Sequence, residues 1–126
     1  MSASPSPNPG PYKDRRRAPR LENRGRLVLQ LVSDDAPVTM HDFSTGGFSL
    51  VSPTPFVPGT VHKFRIGPRG GPFALLSARV AYSRRLSRHR HGDEYLVGLA
   101  FDKLDEAGRT AVDRLLDALT GTLSFE

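Results

Sequence analysis

The 126-residue chain has no cysteine and no tryptophan, and no apolar stretch approaches the length of a membrane span. Without cysteine, disulfides, thiolate catalysis and cysteine-ligated metals are excluded. Residues 1–12 lack the apolar core of a secretory signal, so we expect none and expect a cytoplasmic protein. Aromatic residues make up only 8% of the chain, which disfavours the stacked-base surface of a single-strand nucleic-acid binder.

Positive charge is concentrated in two stretches of the sequence. Residues 13–26 carry seven bases against two acids, and a second cluster of five arginines has no acid within it. That cluster consists of Arg79, Arg84, Arg85, Arg88 and Arg90. From residue 93 onward, eight acids oppose three bases. Of the 18 bases in the chain, 15 are arginine, whose planar guanidinium pairs bidentately with phosphate or a guanine edge. This asymmetry favours an anionic partner.

Composition divides the chain into four parts. Residues 1–12 combine four prolines with Ser, Asn and Gly and cannot bury apolar area, so we predict a disordered tail. Residues 13–20 form a flexible arginine-rich arm. Residues 21–120 have the periodic pattern of a folded domain, and residues 121–126 form a short C-terminal tail.

Alternating apolar and polar residues predict six strands. They lie at residues 27–31, 37–43, 48–52, 63–66, 73–83 and 95–101. Gly98 within the last strand indicates a kink or a close approach. Apolar residues then recur every three or four positions, which predicts a helix over about 105–119 with Asp105 as N-cap and Gly121 as its end.

Six short antiparallel strands followed by one helix indicate an all-β fold, a six-stranded barrel with the C-terminal helix packed on it. Because a barrel of this size is filled by its own side chains, a ligand should bind outside, on loops and chain ends.

Two segments are not explained by the core. Residues 15–20 read Arg-Arg-Arg-Ala-Pro-Arg, which alone indicates a solvated charge run or a non-specific nucleic-acid arm. Residues 42–47 read Asp-Phe-Ser-Thr-Gly-Gly, which alone indicates a hairpin loop with an Asx- or Ser-type turn. Together they place an Arg-x-x-x-Arg pair before the first strand and Asp-x-Ser-x-x-Gly after the second.

This ordered pair of motifs resembles the PilZ domain, the bacterial receptor for cyclic di-GMP. Gly59, the Val-Gly-Leu-Ala-Phe sequence of the last strand and the terminal helix are also similar to that family. The likeness extends over about residues 15–120. It implies a six-stranded antiparallel PilZ-type β-barrel that binds cyclic di-GMP, with no separate cofactor.

The chemistry of the motifs suits that ligand. Guanine O6 and N7 accept a bidentate Arg, whereas N1–H and N2–H2 donate to a carboxylate such as Asp42. Ser44 offers a hydroxyl, and Gly47 allows close backbone approach and a positive φ. The resemblance implies ligand binding by Arg15, Arg16, Arg17, Arg20, Asp42, Ser44 and Gly47, with Gly46 and Tyr82 as further candidates.

The flanking residues bear on stoichiometry. Similar domains with extra arginines, here Arg15 and Arg17, take an intercalated ligand dimer, so we expect two ligands per chain. Tyr82 occupies a place where family members can have an aromatic residue near the ligand, and an ordinary strand aromatic is the alternative interpretation.

Catalysis and metal binding are not expected. The sequence has no G-x-S-x-G, P-loop or H-E-x-x-H motif and supplies no histidine base for Ser44. His89 and His91 lack the partners that a metal site needs. Residues 84–93 are predicted as a basic loop that is solvated, screens a second nucleotide or touches nucleic acid.

We therefore expect a non-enzymatic cyclic di-GMP receptor whose arm orders on ligand binding and which signals in trans to an unidentified protein effector. Two alternatives remain open at this point. One is a PilZ-fold adaptor that binds protein without nucleotide, and the other is a small basic barrel that binds nucleic acid.

Overall fold

The computed structural model describes residues 20–33, 37–89 and 92–121, apart from the side chains of residues 87–89. Seven strands and one helix occupy this part of the chain. They are β1 (Leu21–Glu22), β2 (Leu27–Leu31), β3 (Thr39–Phe43), β4 (Gly47–Ser52), β5 (Val61–Pro68), β6 (Ala74–His89), β7 (Gly92–Phe101) and α1 (Glu106–Thr120). The strands form one antiparallel sheet in the order β1-β3-β4-β7-β6-β5-β2. The all-β class with a C-terminal helix is confirmed.

The sheet has one strand more than predicted. β1 is two residues long and pairs Leu21 with Phe43 and Glu22 with Asp42. Two residues are too few to show an alternating pattern, so only the pairing with β3 defines this strand. The sheet curls into a half-barrel. The Asn23 side-chain amide donates to the Leu27 carbonyl (3.0 Å) and to the Met40 carbonyl (3.2 Å), which brings the start of β2 close to β3.

The predicted basic loop at residues 84–93 is wrong. β6 runs on to His89 and β7 begins at Gly92, so the two strands form a hydrogen-bonded ribbon with Arg84 opposite Leu96 and Arg88 opposite Asp93. β4 pairs with β7 only as far as Tyr95. Beyond that point the ribbon does not pack on the core, so its residues need not alternate between apolar and polar. Hydrophobic alternation therefore does not reveal this part of β6 and β7.

The concave side of the sheet is filled by apolar side chains. Phe43, Phe48, Phe64, Leu50 and Ile66 are fully buried. The rings of Phe48 and Phe64 meet edge to face with centroids 5.2 Å apart. Each such side chain contributes about 1.5–3 kcal/mol relative to exposure. A filled interior leaves the outer face of the sheet as the surface available to a ligand.

The helix α1 covers this core with Val112, Leu115 and Leu119. The predicted caps are confirmed. The Asp105 carboxylate accepts from the Gly108 amide at 2.7 Å, and Gly121 ends the helix with a left-handed φ of 79°. The helix bounds agree with the prediction to within one residue at each end.

Candidate ligand-binding site

One row of residues crosses the outer face of the sheet. Asp42 on β3 lies opposite Ser49 on β4, Ser49 lies opposite Gly98 on β7, and Gly98 lies opposite Tyr82 on β6. Directly opposed residues on neighbouring strands share a face. We call these four residues the outer-face row.

Both ends of the outer-face row depend on irregularities in the strands. Met40 is buried in the core, yet the register shifts between Met40 and Asp42 and turns Asp42 outward. A second shift lies between buried Val80 and exposed Tyr82. Without a bulge, residues two apart in a strand point to the same face, so Asp42 would face inward with Met40 and Tyr82 would face inward with Val80. Each bulge turns the second residue of the pair to the outer face. The bulges thereby create the two ends of the row.

Asp42 is held by two donors on the same carboxylate oxygen. Its Oδ1 accepts from Arg20 Nη1 at 2.8 Å and from Ser49 Oγ at 2.7 Å. The Arg20 side chain is 45% exposed and that of Asp42 19%, whereas Ser49 is 2% exposed. The two motifs, separated in sequence, thus meet on the outer face through Arg20 and Asp42.

Arg20 belongs to a short segment fixed by a buried asparagine. The Asn23 side chain donates to the Leu27 carbonyl (3.0 Å) and the Met40 carbonyl (3.2 Å) and accepts from the Leu27 amide (2.7 Å). Arg24 and Gly25 have positive φ, and the Arg26 amide closes the turn on the Asn23 carbonyl at 3.0 Å. Positive φ at both central residues defines a type I′ turn. This turn sets β1, and with it Arg20, against β3.

Ser44 shapes the turn between β3 and β4. Its hydroxyl donates to the Gly47 carbonyl and accepts from the Gly46 amide, both at 3.3 Å, and its own amide bonds the Gly47 carbonyl at 2.8 Å. The side chain is buried. These contacts explain Ser44 through the fold, and its contact with ligand stays a prediction.

Gly47 is required by β7. A Cβ placed there would lie 2.0 Å from the Leu99 carbonyl oxygen, so the close approach of the two backbones permits no side chain. The φ of Gly47 is not positive, and that expectation is wrong. Gly46, by contrast, faces open space, and its carbonyl accepts from the Phe101 amide at 3.0 Å.

Tyr82 covers Gly98 at the far end of the outer-face row. A Cβ on Gly98 would lie 2.2 Å from the ring of Tyr82, which confirms the predicted close approach at this glycine. Tyr82 is 43% exposed. Between Tyr82 and Asp42, Gly98 and Ser49 are both buried, Gly98 against the Tyr82 ring and Ser49 beside the Asp42 carboxylate.

Sequence reasoning missed Ser49 and Asn23. Gly25 suits the second central position of the I′ turn, but Arg24 at the first is not a residue type that predicts a positive φ. No pattern in the sequence marks Ser49 as the partner of Asp42. Of the predicted arginines, Arg15, Arg16 and Arg17 lie outside the described residues, and Arg20 alone of the four is described.

A model of the PilZ domain matches residues 14–118. The chain belongs to the PilZ family. This PilZ chain is also similar in structure to the PilZ domain of YcgR from Escherichia coli, described with c-di-GMP, at a TM-score of 0.65 and 14% identity. That match covers 86% of this chain and 94% of the other. No curated protein matches the sequence.

Two further findings concern metal binding and membrane-spanning helices. Within residues 20–33, 37–89 and 92–121, no group of three or more His, Asp or Glu side chains could hold a metal ion. In the same part of the chain, no helix has the length and apolar character needed to cross a membrane.

Proposed function

We propose that this PilZ domain is a receptor for cyclic di-GMP. The observation that carries the proposal is the meeting of Arg20 and Asp42, one from each motif, at 2.8 Å on the outer face of the sheet. Cyclic di-GMP presents two guanines and two phosphodiesters, and a carboxylate beside a guanidinium is complementary to both kinds of group.

Asp42 would read the guanine edge. Arg20 and Ser49 both donate to its Oδ1, and no described residue donates a hydrogen bond to its Oδ2. A second oxygen on a carboxylate already held in place can accept from guanine N1–H or N2–H2. Ser49 thereby orients the acceptor before the ligand arrives.

Arg20 would change partners on binding. Its guanidinium is close to half exposed, so a phosphodiester or the O6/N7 edge of guanine can reach it while Ser49 keeps the Asp42 carboxylate oriented toward the base. At the other end of the outer-face row, the exposed Tyr82 ring offers an apolar face to a planar base. Arg15, Arg16 and Arg17 would add phosphate contacts from the arm, and an intercalated ligand dimer would need that extra charge.

The mechanism we propose is an ordering of the N-terminal arm over the outer face. Ligand phosphates neutralise the arginines, so the arm can lie across β3 and β4 and present a new surface to a protein effector acting in trans. Ordering of the arm costs conformational entropy, which lowers the net affinity. Because the contacts are between opposite charges and salt screens them, the affinity should also fall as the salt concentration rises. The role is that of a receptor without catalysis.

Calorimetric titration with cyclic di-GMP tests the assignment, with GTP and cyclic di-AMP as ligand controls. We expect selective binding of two ligands per chain. Arg20→Ala should weaken the affinity at least about tenfold, because a charge-assisted contact contributes about 1.5–3 kcal/mol.

Arg109→Ala is the matched protein control, since Arg109 is exposed on α1, which packs on the concave side of the sheet and not on the outer face. It removes the same charge and should leave the affinity within about threefold. Absence of binding by the unmodified chain would favour a nucleotide-independent adaptor. Displacement of cyclic di-GMP by RNA or single-stranded DNA would indicate a site selective only for charge.

A further inference from the structure

Arg84 extends the outer face beyond Tyr82. It is paired across the ribbon with Leu96, which is paired in turn with Val51 on β4. Leu96 lies two residues from Gly98 on the same face of β7, so Arg84 occupies the row of residues next to the outer-face row. Its side chain is exposed.

The described arginines of β6 differ in their partners. Arg79 donates to the Gly59 carbonyl at 2.8 Å and pairs with Asp102 at 3.3 Å. Arg85 pairs with Asp93 at 3.5 Å. The Arg84 side chain makes no hydrogen bond or ion pair with any other described residue. It is therefore the described cation on β6 whose guanidinium is not already bound within this part of the fold.

Arg84 lies across the sheet from Asp42. β3 and β6 are separated by β4 and β7, or three strand spacings of about 4.8 Å each. A cyclic dinucleotide with one guanine at Asp42 would extend across the outer face toward β6. There it would meet an aromatic ring for a base and, two residues further along the strand, a guanidinium for a phosphate.

We propose that Arg84 is a ligand-binding residue that holds a phosphodiester of the nucleotide from the β6 side. This inference rests on the proposed function and adds contacts on a second side of the bound nucleotide. Arg20 and Asp42 bind from the β3 side, and Tyr82 and Arg84 bind from the β6 side. The guanidinium suits the task because its fork pairs with two phosphate oxygens at once.

The adjacent arginine provides a matched control. Arg84 and Arg85 are neighbours in sequence, but Arg85 lies opposite Tyr95, on the other face of the ribbon, and is paired with Asp93. Arg84→Gln and Arg85→Gln therefore remove the same charge at nearly the same distance from Asp42. Only the first removes a cation from the outer face.

The experiment is a calorimetric titration of the full chain and both variants with cyclic di-GMP, with thermal unfolding to verify that each variant is folded. Arg84→Gln should weaken binding about tenfold, and Arg85→Gln by less than about threefold. Arg84→Lys retains the positive charge but lacks the planar guanidinium, and its affinity should lie between those of the two glutamine variants. Equal effects of the two glutamine variants would overturn the role of Arg84 while the receptor function stands. If the unmodified chain does not bind, the receptor function itself fails, and this inference with it.

Discussion

The residues that surround Asp42 illustrate how a binding group is prepared by its neighbours. Ser49 is almost fully buried, yet its hydroxyl is aimed at the Asp42 Oδ1 atom at 2.7 Å rather than into the core. A hydrogen bond to a charged acceptor is stronger than one between neutral groups. Ser49 therefore restricts the rotation of a carboxylate that is otherwise partly exposed.

Ser49→Ala should weaken cyclic di-GMP binding about fivefold, because Asp42 would lose one of the two donors that orient it. Titration calorimetry measures the change. Ser52→Ala is the control, since Ser52 is also buried on β4, and its hydroxyl accepts from the Thr54 amide at 3.1 Å. An equal loss of affinity in both variants would contradict a positioning role for Ser49.

Of the two glycines that connect β3 and β4, the fold requires Gly47 but could accept another residue at Gly46. A side chain at Gly47 would collide with the Leu99 carbonyl, whereas one at Gly46 would enter open space at a φ that any residue can adopt. The two positions are adjacent, and only one is restricted by packing.

Gly47→Ala should destabilise the chain by about 3 kcal/mol or more, because β4 and β7 must separate to admit the methyl group. Gly46→Ala should change the free energy of unfolding by about 0.5 kcal/mol or less. Urea denaturation without ligand measures both. Equal stabilities would show that the glycine at 47 serves the ligand and not the sheet.

Among the elements, the Asn23–Arg26 turn connects the binding arm to the rest of the fold. Asn23 joins β1, β2 and β3 through three side-chain hydrogen bonds, and the Arg26 guanidinium donates to the Leu119 carbonyl at 2.9 Å near the end of α1. β1 is otherwise held by only two paired residues. The position of Arg20 therefore depends on this turn.

Asn23→Ala should lower the free energy of unfolding by about 3 kcal/mol, because the Leu27 amide and the Met40 carbonyl would lose their side-chain partner in a buried setting. Denaturant titration gives this value. Gln30→Ala on exposed β2 surface is the comparison and should be close to neutral. A loss below about 1 kcal/mol for Asn23→Ala would mean that water replaces the amide.

The strands also show which features a sequence pattern reveals. The core strands were predictable because their inward residues alternate with polar ones, as in Leu27, Leu29 and Leu31. The extension of β6 past Ser83 and of β7 before Tyr95 was not, because its pairing lies outside the core. The two bulges were equally hidden, since an extra residue in a strand is defined by what lies opposite it on another strand.

For the molecule as a whole, the family match begins at residue 14, after the proline-rich segment. Removal of residues 1–12 should therefore leave cyclic di-GMP affinity within about twofold. Removal of residues 1–19 should weaken it by well over tenfold, because three arginines are lost and each contact is worth about 1.5–3 kcal/mol. Titration of both truncated chains measures the difference. Equal affinities would contradict a ligand-binding role for the arm.

The sequence by itself determined the class of fold, the capped C-terminal helix and the pair of motifs that placed the chain in the PilZ family. These features are local, because alternation, helical spacing and capping are written in neighbouring residues. The tertiary structure decided which side chains share the outer face. It turned Asp42 and Tyr82 outward through bulges, gave Asp42 its partner Ser49 and assigned Gly47 to the packing of β7. Each of these depends on pairing between residues far apart in sequence, which no local pattern records.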